Sequence, residues 1–147
     1  MFKHILVPTD GSQLSEDAAR RAVAFAKEGG ARITALYVKP EYPVFYASEG
    51  IMFDSTPPGR FAELVEEEAQ EILGFVENLC QVAGVTCSKV THTHDVIYKA
   101  IIEVATRNDC DLIFMSSHGR RGVDALLLGS ETTKVLTHSK IPVLVYR

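Results

Sequence analysis

Positive charge is in short supply. Fifteen lysines and arginines stand against nineteen aspartates and glutamates, a formal net charge of −4. A binder of nucleic acid or of an anionic membrane surface needs a basic face, so this balance argues against both. Long apolar runs are missing as well. None approaches the roughly 20 residues of a membrane span, and the apolar stretch in MFKHILVPTDGS is too short for a signal peptide. It reads as a core strand. Cysteine is scarce: Cys80, Cys87 and Cys110 are an odd number without CxxC spacing. That usage is expected of core or incidental thiols in a reducing cytoplasm. Three motifs are absent too. No lysine precedes Ser130, so there is no GxxxxGK[ST]; PTDGS stands where a GxGxxG would follow the first strand; and there is no GxSxG. A P-loop NTPase, a dinucleotide dehydrogenase and a nucleophile-elbow hydrolase are all disfavoured.

What remains is a chain of 147 residues, 46% of them hydrophobic. It is expected to form one domain over 1–147 around one core. The pattern alternates strand and helix. Residues 2–8 (FKHILVP) predict a strand and 13–28 a helix, with Leu14, Ala18, Ala22, Val23 and Ala26 on one stripe and a stop at Gly29-Gly30. RITALYV (32–38) predicts a second strand. Residues 39–59 carry four prolines and four aromatics with no clear period and read as a long loop. Tyr42, Phe45, Tyr46 and Phe53 there suit either a lid or packing on the sheet edge. A helix over about 60–83 follows, with Phe61, Leu64, Val65, Ile72, Val76, Leu79 and Ala83 inward and Glu66, Glu67 and Glu68 on a solvated face. Gly84 ends it. Residues 85–92 form a weakly patterned third strand. Asp95 is expected to cap a helix to about 107, with Val96, Ala100, Ile101, Val104 and Ala105 inward. DLIFMS (111–116), a short helix over 130–139 and IPVLVY (141–146) complete the chain.

Apolar strands alternating with helices imply α/β architecture: a five-stranded parallel sheet with helices on both faces. Ligands of such sheets sit at the carboxyl ends of the strands, near a topological switch point. The loops from Pro8 to Ser12, from Val38 onward and from Ser116 to Gly129 all belong to that edge. The last of these contains Gly119, Gly122 and Gly129, with Arg120 and Arg121. Backbone amides at a helix start can hold a phosphate, and Ser130 can cap the helix, bind an oxygen, or do both. A plain loop with a glycine–serine cap fits the same letters. Asp10 is a turn residue or a ribose ligand. His118 is a loop histidine or a phosphate contact. His92 and His94 share a strand face, but two histidines make a weak metal site.

These segments carry a resemblance over the whole length. ILVPTDGS, the strand ending LYV, DLIFMSSHGRRG, LLLGS before a helix and IPVLVYR together resemble the universal stress protein family. Its nucleotide-binding members carry G-x2-G-x9-G-[ST]. Here the pattern aligns as Ser116-x2-Gly119-x9-Gly129-Ser130, with serine in place of the first glycine. The resemblance implies an adenine nucleotide alpha hydrolase-like (Rossmann-like) fold with strand order 3-2-1-4-5. It implies ATP with Mg²⁺ as ligand, Mg²⁺ riding on the phosphate oxygens. Pro8, Thr9 and Asp10 would border the adenosine, the Val38 backbone would meet the adenine edge, and Met115 would pack on the base. Gly119, Arg120, Gly129 and Ser130 would hold the phosphates, with the amides of Glu131 and Thr132. At Ser116 a positive φ would be costly for a non-glycine residue, whereas an ordinary φ would accommodate serine. The resemblance also implies a homodimer formed through strand 141–146, whose edge must be covered or paired. The expected role is that of an ATP-binding stress or signalling protein. A nucleotide-free dimeric interaction module is the alternative that Ser116 favours. A slow ATPase or self-phosphorylating protein is the third, with Asp10 and Asp124 as the carboxylates available to it.

Overall fold

The computed structural model describes residues 1–47, 50–53, 56–120 and 127–147, and the backbone alone for 44–47 and 50–53. Arg121, Gly122 and Asp124, and the side chains of Phe45, Tyr46 and Phe53, lie outside the described residues. In chain order the elements are β1 (His4–Pro8), α1 (Gln13–Gly29), β2 (Arg32–Lys39), β3 (Val44–Ala47), β4 (Gly50–Phe53), α2 (Pro58–Ala83), β5 (Cys87–Thr93), α3 (Ile97–Arg107), β6 (Leu112–Ser116), α4 (Ser130–His138) and β7 (Val143–Tyr146). Five strands form a parallel sheet in the order β5-β2-β1-β6-β7. That is the expected 3-2-1-4-5 order.

Strand periodicity decides which helices lie where. Successive residues of a strand face opposite sides. Ile5, Val7, Ile33, Ala35, Leu112 and Phe114 share a core with α1 and α2. Leu6, Leu36, Ile113 and Met115 share a second core with Ile101, Val104 and Ala105 of α3 and Val135 of α4. Each fully buried aliphatic side chain contributes about 1.5–3 kcal/mol. The central strand β1 has such residues on both faces.

Several local expectations change. Residues 44–47 and 50–53 are strands, not irregular loop; β3 and β4 pair antiparallel, Val44 with Phe53 and Ala47 with Gly50. Val44, Phe45, Tyr46, Ile51 and Phe53 are β-formers, while the prolines that mask the signal lie outside the strands. α2 starts at Pro58 because proline's fixed φ suits the first helical position. Leu64 is 42% exposed. It sits about 100° around the helix from Val65, off the stripe made by Val65, Ala69, Ile72, Leu73, Val76 and Cys80. Asp95 does not cap α3: the cap residue is Val96, without a side-chain bond. His92 and His94 both turn Nε2 toward Glu103, at 3.3 and 3.9 Å, and among the described residues no group of three or more His, Cys, Asp or Glu is placed to hold a metal ion.

At the amino edge, His4 is buried and its Nε2 shares a hydrogen bond of 2.7 Å with the Thr34 hydroxyl. Burial first, and then the positive charge of Arg32, lower its pKa from the ordinary 6.5, against the pull of Asp111. The folded protein therefore holds His4 neutral where the unfolded chain would protonate it. Stability is expected to fall as pH drops below 6.5, the unfolded value. Urea midpoints measured across that pH range should slope less in a His4→Gln variant. An unchanged slope would assign the acid sensitivity to other groups.

Candidate functional site

The sheet order reverses direction between β1 and β6: the chain leaves β1 toward β2 and leaves β6 toward β7. The crevice beyond their carboxyl ends is the switch point. Gly11, with φ 79°, turns the chain out of β1 into α1, whose cap is Ser12. This turn places Asp10 at the rim. Its Oδ1 accepts from the Ser12 amide at 2.9 Å and its Oδ2 from the Arg120 amide at 2.8 Å. The β1 turn and the β6 loop are thus joined across the crevice. Burial alone would raise the Asp10 carboxyl, but hydrogen bonds from Ser12, the Arg120 amide and Ser15 outweigh it and hold the pKa below the ordinary value. Asp10 is a fixed, ionised acceptor with lone pairs left on each oxygen.

The other hydroxyls of the motif act inward. The Thr9 hydroxyl meets Ser15 Oγ at 3.0 Å and accepts from the Gly11 amide at 3.3 Å. Ser116 keeps strand backbone; Asp109 alone among the described non-glycine residues has a positive φ. Its hydroxyl donates to the His118 carbonyl at 2.7 Å. Serine is therefore accommodated there without backbone strain, and it braces the loop. Thr132 donates to the Ser116 carbonyl at 3.0 Å. The Gly129 amide donates to the Ser117 carbonyl at 2.8 Å, pinning the start of α4 against the β6 loop. Gly129, not Ser130, is the cap residue of α4, and it offers no side chain. Ser130 is exposed at the first helical position. The first amides of α4 have no acceptor within the helix, so they can receive an anion.

The remaining expected residues fall nearby. Met115 is 7% exposed and packs in the α3–α4 core, against which Val38 is half-buried. Pro8 is half-buried at the end of β1, opposite Leu36. Nδ1 of His118 pairs with Ser117 Oγ at 3.0 Å. Glu131 uses its carboxylate elsewhere: it accepts from the Tyr98 amide at 2.9 Å, capping α3 in place of Asp95. Ser12, Ser15 and Ser117, which the motif does not mark, turn out to hold the site together.

Glu68 corrects the reading of the acidic run. It is half-buried and partnered rather than simply solvated: Arg120 Nη1 lies 2.8 Å from its Oε1, and the Tyr37 hydroxyl donates to Oε2 at 3.1 Å. Burial, and then the Glu68 charge, push the Tyr37 phenol up to about 12. The available signal was positional. Glu68 follows Val65 by three and precedes Ile72 by four, on the flank of the buried stripe.

The family model of the universal stress protein family matches residues 1–147. A universal stress protein of Methanocaldococcus jannaschii is 35% identical over 151 residues, spanning 100% of this chain and 83% of that protein. A solved structure of another protein of that archaeon superposes with TM-score 0.75 at 28% identity, covering 99% of this chain and 95% of the other. A universal stress protein from Archaeoglobus fulgidus, solved in complex with dAMP, has the same fold, with TM-score 0.68, 16% identity, and coverage of 100% and 98%.

Proposed function

The chain belongs to the universal stress protein family, and from that premise we propose that it binds an adenine nucleotide, ATP with Mg²⁺, at the carboxyl edge of its sheet. We propose further that it does so as a cytoplasmic, single-domain stress-response homodimer joined through strand 141–146. The observation that carries the binding reading is the Arg120 amide on Asp10 Oδ2 at 2.8 Å, which joins the β1 turn to the β6 loop at the switch point, where the Gly129 amide also pins the start of α4. The donor set suits the ligand. Asp10 is an ionised acceptor for ribose hydroxyls. The Val38 backbone and Met115 border the base, alongside Pro8 and Thr9. The α4 amides of Ser130, Glu131 and Thr132, the Ser130 hydroxyl, Gly119, Gly129, His118 and Arg120 face the phosphates. Bound Mg²⁺ supplies charge neutralisation on the phosphate oxygens. The dAMP complex of the Archaeoglobus relative supports the ligand class.

Calorimetric titration of nucleotide-stripped protein with ATP and Mg²⁺ is the test. The wild type is expected to bind with a Kd of about 1 μM. Ser130→Ala removes one hydrogen bond to a charged group and is expected to weaken binding about tenfold. Absence of heat with the wild type would turn attention to the dimeric interaction module. Light scattering that returns a monomer at micromolar protein would remove the homodimer.

A further inference from the structure

Glu68 stands where the nucleotide reading leaves no role for a carboxylate. The Arg120 guanidinium lies over the β1 turn, its Nη2 3.0 Å from where a Cβ on Gly11 would be. It is therefore beside the crevice, and its Nη1 is already taken by Glu68 at 2.8 Å. Guanidinium bonds carboxylate and phosphate with the same fork of N–H groups. Tyr37 holds the second oxygen of Glu68 from beneath, at 3.1 Å. Glu68 thus stays in place whether or not Arg120 does.

We infer that Glu68 is a specificity-determining residue of this site: an internal anion that competes with nucleotide phosphate for Arg120. The inference rests on the adenine-nucleotide reading above. An incoming phosphate has two courses. It draws Arg120 away and leaves the Tyr37-anchored Glu68 carboxylate uncompensated beside new negative charge. Or it binds without the guanidinium. Both courses cost more as phosphate charge grows, and neither costs a nucleoside anything. Glu68 therefore lowers the affinity gained with each added phosphate, and tilts the site from triphosphates toward monophosphates and nucleosides.

The experiment compares adenosine, AMP and ATP by calorimetry at fixed Mg²⁺ and fixed salt. The proteins are the wild type, Glu68→Gln, Arg120→Ala and the double variant, with melting temperatures measured alongside. Glu68→Gln keeps the shape and removes the charge. It is expected to tighten ATP about tenfold, the scale of one exchanged charge-assisted hydrogen bond at a half-exposed pair. AMP should gain less, and adenosine should stay within about twofold, the spread of a surface change. In the Arg120→Ala background the gain for ATP should shrink severalfold, because the contested cation is gone. Equal changes for adenosine and ATP, or no change for either, overturn the role of Glu68 while leaving the nucleotide site standing. Failure of all three ligands to bind wild type and variant alike overturns the nucleotide reading, and this inference with it.

Discussion

Gly119→Ala is expected to weaken nucleotide binding at least about thirtyfold while leaving the fold intact. A Cβ built on Gly119 lies 2.5 Å from Asp10 Oδ2. That is well inside contact distance, so something must move. Asp10 cannot yield freely, because Ser12 and Arg120 each hold one of its oxygens. The relief open to the alanine variant is to break the Arg120 amide bond and swing the β6 loop away from the β1 turn. Losing that bond, together with the contacts the turn makes to ligand, corresponds to about 2–4 kcal/mol, or at least about thirtyfold in Kd. Gly119 is exposed, so the melting temperature should change little. Titration beside Gly74→Ala makes the comparison clean. Gly74 lies within α2 and a Cβ there meets nothing within 4 Å. The substitution should leave binding unchanged and raise stability by about 0.5–1 kcal/mol. Wild-type affinity in Gly119→Ala would mean that the crevice contact is incidental to binding.

The second large effect concerns stability. Leu73 of α2 is 1% exposed and sits in the core shared by α1, α2 and the sheet. Leu73→Ala removes buried methyls and leaves a cavity, costing about 2–5 kcal/mol. Leu64 on the same helix is 42% exposed, and Leu64→Ala should cost no more than about 0.5 kcal/mol. Chemical denaturation of the two variants separates the buried stripe of α2 from its flank. Equal losses would place Leu64 in an interface with another copy or partner.

The same helix illustrates what a sequence discloses. Period is legible wherever one face is buried and the other is wet. Ala18, Ala22, Val23 and Ala26 announce α1, and LIFM in β6 announces a strand buried on both sides. β5 is an edge strand with three of its seven residues exposed and the rest only half-buried, so its pattern is faint. The hairpin of β3 and β4 is hidden because prolines crowd its flanks. Glu68 reads as solvent-facing because its place on the flank of the buried stripe does not disclose that a distant arginine will meet it. The glycine spacing singles out the loop after β6, yet it cannot reveal that the hydroxyls of Thr9, Ser116 and Thr132 bond inward, or that Glu131 caps another helix. Local spacing carries local structure; partners far apart in the chain carry no such mark.

That separation has a consequence for how the molecule is made. The bond between Asp10 and Arg120 joins residues 110 positions apart. A chain emerging from the ribosome can pair β1 with β2 early, once residues to Lys39 are out. It has to wait for β6 before the second edge of β1 is covered, and for α4 before the start of that helix is pinned against the β6 loop. Contacts of such long separation form late. The crevice is therefore completed only with the final fifth or so of synthesis, and a nascent protein interrupted before β6 would carry three of the five strands and lack the bond that joins the β1 turn to the β6 loop.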